Sequence, residues 1–418
     1  MGQSTFVNST FPTTKAAATP RSLRLKLDVP LLLITLALLV IGMLFVFSAS
    51  WQYASLRDEP TTYLLGRQLL FAAIGSVVAI GLSLFDYHRY HRLLLPMVAI
   101  IVAMLILVLA VKDEVNGNVR TLLNGSLQPS EFAKLAIIIY LSFWLYAKRE
   151  VINNFSFGLM PMMLLLGIFM GLILGEPDIS AAATIFVLGA SLFFLAGGEL
   201  RQIVFVMVAA GFVGFLVVSV SHTGQQRMAD YFAGLQDPAK SSEHVMRSIE
   251  AIVRGQFFGV GIGRSVTKFT GLPVPWTNSI FAVITEETGL AGALVMIVLY
   301  VFFLWRGLLI ARRAQDDLGR LLASGITIWI TFEALINMGQ MVNLVPFAGN
   351  ALPLVSYGGS SIVAILAGIG VLMNVARSSS DKESAAADGK AYSAVVNLRR
   401  GDRRRRVSRP GGPEETGE

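Results

Sequence analysis

Apolar residues follow one another along this chain in long runs that short polar connections separate. A helix needs roughly 17–25 mostly apolar residues to cross the hydrocarbon core of a bilayer. Ten runs of about this length are predicted, at residues 30–50, 64–85, 93–111, 131–147, 157–174, 179–197, 202–221, 280–305, 321–343 and 358–376. The pattern predicts an all-α polytopic membrane protein with about ten transmembrane helices.

The composition agrees with a membrane protein and removes several kinds of site. Of the 418 residues, 54% are hydrophobic and 15% are charged, which is unusual for a soluble domain. The chain has no cysteine, so disulfides, thiolate nucleophiles and cysteine metal sites are excluded. The four histidines lack the spacing of metal ligands, so we expect no histidine metal site. No cofactor is predicted, and a requirement for a divalent cation stays open.

Basic residues in alternate connections orient the predicted helices. The connections on one side of the membrane hold Arg89, Arg92, Lys148, Arg149, Arg201, Arg306, Arg312, Arg313 and Arg320. Short cytoplasmic loops are enriched in Lys and Arg. We therefore expect both termini in the cytoplasm and one long extracytoplasmic loop, residues 222–279, between the seventh and eighth helices.

Three regions are predicted along the chain. Residues 1–29, rich in Ser, Thr and Pro, form a disordered cytoplasmic arm, residues 30–376 form the transmembrane domain, and residues 377–418 form a disordered basic cytoplasmic tail. The net charge of +7 lies largely in the two tails. It therefore indicates contact with anionic lipid headgroups, and no nucleic acid partner is expected.

An irregular segment, residues 346–361, lies between the last two apolar runs. Backbone freed by proline and glycine persists at membrane depth only where protein or a wet cavity satisfies its polar groups. The segment ends in Ser356, Tyr357, Gly358, Gly359, Ser360 and Ser361. These residues open an apolar helix whose positive end suits a phosphate or pyrophosphate. The alternative is a glycine-loosened helix start that lets neighbouring helices pack closely.

Several ionisable residues fall within apolar runs, where a charge is costly and indicates a cavity or a paired group. Glu131 and Lys134 share one face of the fourth helix, either as a structural ion pair or facing a substrate. Glu333 lies inside the ninth helix with no obvious partner in the sequence. Glu286 and Glu287 are adjacent, so their side chains point about 100° apart and only one is expected to face a given site.

Six motifs occur in a fixed order along the predicted helices. They are Ser48-Ala49-Ser50, Gln128 to Lys134, Glu176-Pro177-Asp178, Gly255 to Gly263 with Lys268, Glu286-Glu287-Thr288-Gly289, and Pro346 to Ser361. Together they resemble the SEDS family of shape, elongation, division and sporulation proteins over nearly the entire membrane region. The extended arm and the basic tail favour a division-type member over an elongation-type member.

The resemblance implies a peptidoglycan glycosyltransferase that polymerises lipid II, an undecaprenyl-pyrophosphate-linked precursor, into glycan strands during cell division or cell-shape maintenance. It implies a multi-pass protein of the bacterial cytoplasmic membrane. The implied partners are a class B penicillin-binding transpeptidase and other divisome or elongasome membrane proteins. By the motif match, Glu131 and Lys134 are expected in the central catalytic cavity. Expected substrate contacts are Lys268, Glu286, Glu287, Ser356, Tyr357, Gly358, Gly359, Ser360 and Ser361.

The chain departs from the family pattern at one position that bears on activity. The segment before the eighth helix reads Leu272-Pro273-Val274-Pro275-Trp276-Thr277-Asn278-Ser279. Asn278 stands where the family carries an aspartate that is regarded as the catalytic carboxylate. General-base catalysis typically contributes about 10² to 10⁴-fold, and an amide cannot take a proton from an acceptor hydroxyl.

Three explanations for Asn278 stay open. A nearby carboxylate can replace the missing one, and the candidates are Asp230, Asp237, Glu243, Glu250, Glu286 and Glu287. The chain can be a noncatalytic scaffold for its transpeptidase, or this copy can carry an inactivating substitution. A lipid-linked precursor flippase or transporter is the rival function, based on Glu131, Lys134 and Glu333.

Overall fold

A computed structural model describes residues 27–56, 60–111 and 127–379 of the chain. Twelve α-helices lie in these ranges: α1 (Val29–Leu56), α2 (Tyr63–Leu84), α3 (Leu94–Val111), α4 (Pro129–Ala147), α5 (Met160–Gly175), α6 (Ile179–Leu195), α7 (Leu200–Val220), α8 (His222–Gln236), α9 (Glu243–Gly255), α10 (Ile280–Arg312), α11 (Asp317–Met341) and α12 (Gly359–Ser379). The predicted arm and tail lie outside the described residues, apart from their innermost positions.

The helices confirm the predicted fold class. Within the described ranges, nine helices are long and apolar enough to cross a membrane, and α6 is a shorter apolar helix. These ten match the ten predicted runs. A 3₁₀ helix, Tyr87–Leu93, leads into α3, and a π-helical turn, Phe155–Leu159, leads into α5. The cytoplasmic placement of the termini stays a prediction.

The connection between α7 and α10 is more ordered than the sequence pattern indicated. The sequence predicts a long loop here, whereas the structure has α8 and α9 within it. Val245, Ser248 and Ala251 form the buried face of α9, while Arg247 and Glu250 lie on its opposite, more exposed face. This amphipathic pattern is typical of a surface helix and too polar to be detected as a membrane span.

Local sequence signals set the starts of several helices. Pro129 occupies the first turn of α4, where its missing N–H costs nothing. Asp178 caps α6 by accepting a hydrogen bond from the N–H of Ala181 at 3.1 Å, and Asp316 caps α11 through Gly319 at 2.8 Å. These caps fix where the polar ends of the membrane helices lie.

The helices differ widely in how much of their surface other helices cover. In α11 and α12, 78% of the most apolar stretch is buried, against 6% in α7. Trp329 of α11 is fully buried and faces Gly368 of α12, where an added Cβ would lie 3.4 Å from the indole ring. The centre of the bundle is therefore built on α11 and α12, and α7 presents nearly its whole surface outward.

A break in α10 joins this helix to the connection that precedes it. Gly289 has φ 71° and ψ −169°, a conformation that is essentially restricted to glycine. The segment after α9 supplies the missing backbone partners: Val260 and Gly261 donate to the carbonyls of Glu286 and Glu287, each at 3.0 Å. In return, Leu290 donates to the carbonyl of Gln256 at 2.8 Å. The glycine-rich segment therefore completes the hydrogen bonding of a broken membrane helix.

Candidate active site

A polar face on the innermost helix α11 organises the candidate site. Glu333, Asn337 and Gln340 follow one another at i, i+4 and i+7, so they lie on one side of the helix. All three are buried. Each contacts the irregular segment, residues 346–361, and Asn337 also contacts the segment before α10.

The first part of the site is a buried charge triad. The ammonium of Lys134 on α4 lies 2.8 Å from a carboxylate oxygen of Glu131 and also forms an ion pair with Glu333 of α11. It lies 5.6 Å from the centre of the Trp329 ring. The predicted pairing of Glu131 with Lys134 on one helix face is confirmed, and Glu333 is the partner that the sequence did not reveal. With all three groups ionised, the triad carries one net negative charge.

The second part of the site connects the triad with Asn278. The amide of Asn350 donates to the backbone carbonyl of Glu333 at 2.9 Å. The amide of Asn337 donates to the carbonyls of Asn350 at 2.7 Å and of Asn278 at 3.0 Å. Gln340 accepts hydrogen bonds from the two backbone N–H groups that precede Asn350, at 2.8 and 3.1 Å. One face of α11 thus contacts both the triad and the backbone of Asn278.

Several buried atoms of this region have unused hydrogen-bonding capacity. The side-chain oxygens of Asn337 and Asn350, one carboxylate oxygen of Glu131 and the side-chain nitrogen of Gln340 make no hydrogen bond with any described residue. Buried polar groups of this kind cost free energy unless a ligand or water satisfies them. The site is therefore suited to a substrate rich in hydroxyl and amide groups.

Above Asn278, an aromatic contact joins the connecting helices to the irregular segment. The imidazole of His244 on α9 stacks on the Phe347 ring, with 4.3 Å between ring centres. The guanidinium of Arg227 on α8 lies 5.9 Å from the centre of the same ring, and it donates to the carbonyl of Ala348 at 3.4 Å. The two helices α8 and α9 therefore bring a cation and an imidazole to the rim of the site.

Lys268 and Glu287, two of the predicted substrate contacts, form a buried ion pair and do not lie on an open surface. Their side chains are 2% and 0% exposed, and the ammonium lies 2.7 Å from the carboxylate. Ser48 of α1 donates to the same carboxylate at 2.7 Å, and the N–H of Gly263 donates to it at 2.8 Å. The pair therefore pins the segment that follows α9 to α1 and α10.

Glu286 holds the neighbouring part of the same segment. Its carboxylate accepts hydrogen bonds from the hydroxyl of Ser265, from the N–H of Val266 at 3.0 Å, and from the N–H and hydroxyl of Thr267 at 3.2 and 3.0 Å. As expected from their spacing, Glu286 and Glu287 take different partners. Both carboxylates are nevertheless used by the protein itself, so neither is available in this conformation to replace a base at Asn278.

Two of the other candidate carboxylates, Glu250 and Asp237, also have partners within the protein. Glu250 pairs with Arg247 at 2.9 Å and with Arg254 at 2.8 Å on the surface of α9. Asp237 caps the short helix Pro238–Lys240 through Ala239 at 3.1 Å. Within the described ranges, no group of three His, Cys, Asp or Glu side chains is placed to hold a metal ion.

The predicted phosphate-binding residues at the start of α12 contact neighbouring segments. The hydroxyl of Ser356 donates to the carbonyl of Thr277 at 2.6 Å, and Ser360 accepts from the N–H of Gln128 at 2.7 Å. Gln68 of α2 accepts from the N–H of Gly358 at 3.2 Å. Tyr357 donates through its backbone N–H to Trp276 at 2.8 Å. This start of α12 is therefore tied to α2, to the residues before α4 and to the segment of Asn278, and its contact with substrate stays a prediction.

The fold and the site define a class: a polytopic all-α membrane protein with a polar site between α4, α11 and the connection that joins α7 to α10. A family model described as a cell cycle protein, covering FtsW, RodA and SpoVE, matches residues 29–381. The chain belongs to this family.

Individual relatives agree with that assignment. The chain is 37% identical over 83% of its length to a protein of Trichlorobacter lovleyi named "Probable peptidoglycan glycosyltransferase FtsW", of which the match covers 92%. It is 35% identical over 84% of its length to "Stage V sporulation protein E" of Bacillus subtilis, of which the match covers 97%.

Solved structures share the fold. A chain from the structure described as "Structural coordination of polymerization and crosslinking by a peptidoglycan synthase complex" matches with a TM-score of 0.70 and 26% identity, covering 85% of this chain and 98% of that one. The rod shape determining protein RodA of Thermus thermophilus matches with a TM-score of 0.62 and 25% identity, at the same coverage.

Proposed function

We propose that this protein is a peptidoglycan glycosyltransferase that polymerises lipid II at the outer face of the bacterial cytoplasmic membrane. One observation carries the proposal: a single face of α11 holds both the Glu131–Lys134–Glu333 triad and the backbone of Asn278. A membrane-embedded lipid substrate reaches such a site from the bilayer, and its sugars meet the buried amide groups beside Asn350.

The residues have distinct roles in this proposal. The triad holds α4 against α11 and sets the negative potential on the inner side of the site, where Glu131 keeps one oxygen for a substrate hydroxyl. Asn278 positions the acceptor sugar through its amide. Arg227 at the rim supplies positive charge for the lipid pyrophosphate.

The partner follows from the same family relationship. A class B penicillin-binding transpeptidase crosslinks the glycan strands as they leave the site, in the manner that the related synthase complex couples polymerization with crosslinking. Depletion of the protein in its host distinguishes the two cellular roles: filamentous cells indicate division, and rounded cells indicate elongation.

The direct test uses purified full-length protein with lipid II, alone and with its transpeptidase. We expect glycan strands of increasing length, with more product when the transpeptidase is present. The transpeptidase without the protein is the control. Absence of product from the wild-type protein in both conditions would contradict the proposal.

A noncatalytic scaffold is the second candidate, and Asn278 is the observation that favours it. A scaffold binds the transpeptidase and localises normally, yet Asn278→Asp leaves it without polymerase activity. A wild-type protein that is inactive while Asn278→Asp is active instead identifies an intact polymerase site with an inactivating substitution.

A further inference from the structure

The structure places an imidazole beside Ser279, the residue after Asn278, and the sequence pattern did not single this imidazole out. His244 lies on α9, 34 residues before Asn278 along the chain, and its Nδ1 lies 3.4 Å from the hydroxyl oxygen of Ser279, the next residue. The ring of Phe347 stacks on this imidazole. The imidazole is therefore held between the segment before α10 and the irregular segment after α11.

Gly349 marks the point where these groups meet. A Cβ placed on Gly349 would lie 3.6 Å from the Phe347 ring and 3.7 Å from the amide nitrogen of Asn278. The Phe347 ring, on which the imidazole of His244 stacks, and the side chain of Asn278 thus border the same small region around Gly349.

We propose that His244 is the general base of this protein, in the role that the family's aspartate would have at Asn278. This inference rests on the proposed glycosyltransferase function. The acceptor hydroxyl of one disaccharide forms a glycosidic bond to the anomeric carbon of the other, whose bond to the lipid pyrophosphate breaks. The pyrophosphate leaves with the bonding electron pair, and the proton of the hydroxyl passes to the imidazole.

Ser279 acts as a positioning residue that selects the useful tautomer. Its hydroxyl donates to the carbonyl of Pro273 at 3.1 Å, so the same oxygen is left to accept a hydrogen bond from Nδ1–H of His244. A proton on Nδ1 leaves the lone pair on Nε2. A neutral imidazole with a fixed tautomer is what a general base requires.

The electrostatic surroundings keep this imidazole neutral. Burial lowers the pKa of His244 to about 4; the neighbouring Glu243 raises it and Arg227 on α8 lowers it. An aspartate has an ordinary pKa of about 3.9, so the two groups have similar basicity. The imidazole is therefore deprotonated at neutral pH and matches the strength of the carboxylate that the chain lacks.

The experiment compares lipid II polymerisation by full-length wild type, His244→Gln, Asn278→Asp and the double variant, each with the transpeptidase. We expect His244→Gln to lower kcat by about 10² to 10⁴-fold with little change in KM, because it removes a base and not a binding group. We expect the double variant to recover activity, because the new carboxylate takes the proton. His222→Gln, which changes an exposed histidine on α8, is the matched control and keeps wild-type turnover.

Each outcome has a fixed meaning. Wild-type turnover in His244→Gln overturns the inference while leaving the proposed function intact. Loss of activity in His244→Gln that Asn278→Asp does not restore, while Asn278→Asp alone is active, assigns His244 a structural role and also overturns it. An active Asn278→Asp beside an inactive wild type overturns it as well. Inactivity of both the wild type and Asn278→Asp contradicts the proposed function, and the inference with it.

Discussion

Lys134 of α4 and Glu333 of α11 form an ion pair between residues 199 positions apart, at the centre of the membrane domain. Glu131 contacts the same ammonium, so one cation serves two carboxylates. Removing one partner of a buried pair strands the others without compensation, whereas replacing the whole set by neutral groups is often nearly neutral.

Lys134→Met should therefore lower the free energy of unfolding by about 3–5 kcal/mol, because two buried carboxylates lose their cation. Thermal denaturation of the protein in detergent measures this loss. The triple variant Lys134→Met, Glu131→Gln, Glu333→Gln should be clearly more stable than the single variant. A single variant with wild-type stability would contradict the prediction.

The same triple variant separates the two readings of the triad. If the triad only pins α4 to α11, a stable triple variant keeps its polymerase activity. We expect the opposite, a loss of at least tenfold in turnover, because Glu131 has a buried oxygen that accepts no hydrogen bond from the described residues. Initial rates of glycan synthesis at saturating lipid II provide the measurement.

Lys268→Met should release the segment that follows α9, because Glu287 then stays buried without a cation. The expected loss is about 3–5 kcal/mol, with faster proteolysis between residues 255 and 279. Lys240→Met is the matched control, since Lys240 is 71% exposed and lies 3.9 Å from Asp237. A surface pair of this kind contributes at most about 1 kcal/mol. Equal cleavage rates in the two variants would contradict the prediction that the Lys268–Glu287 ion pair holds this segment.

Gly289→Ala should destabilise the protein by at least about 1–3 kcal/mol, because a side chain is strained at this conformation. The added Cβ would also lie 2.4 Å from the backbone of Phe257. Gly81→Ala in α2 is the control, since its Cβ meets nothing within 4 Å and alanine favours a helix. Thermal unfolding of both variants measures the difference, and similar melting temperatures would show that the break tolerates a side chain.

The stability of the protein should fall as the pH drops from about 6.5 towards 4 in a manner that depends on His244. Because its folded pKa is lowered from 6.5 to about 4, the unfolded chain binds a proton in this range that the folded chain does not. The contribution is fully kept above pH 6.5, and its loss is on the order of 3 kcal/mol at most. His244→Gln should lack this part of the pH dependence. Identical profiles in both proteins would contradict the lowered pKa.

The membrane helices were predictable from sequence because each consists of a long apolar run whose length the bilayer sets. The pairing of Glu131 with Lys134 was predictable as well, because three residues of helix separate them. Helices α8 and α9 were not, because their stability depends on a polar surface on one side and a membrane domain on the other.

The organisation of the site depends on contacts between distant residues, which a single sequence does not specify. Glu333 was visible as a charge in an apolar run, but its partner lies on another helix. Asn337 and Gln340 were overlooked, although their spacing from Glu333 gives a polar stripe at i, i+4 and i+7 that the sequence does contain. His244 had no such signal, because only the packing of α9 against Phe347 brings it beside Ser279.

The break at Gly289 has a mechanical consequence. The residues of α10 around Gly289 exchange backbone hydrogen bonds with the glycine-rich segment. These two parts of the chain are therefore joined at the break. The same part of α10 contains Glu286 and Glu287, whose carboxylates accept hydrogen bonds from residues 263–268. A change in the tilt of α10 would therefore displace residues 256–268 together with it.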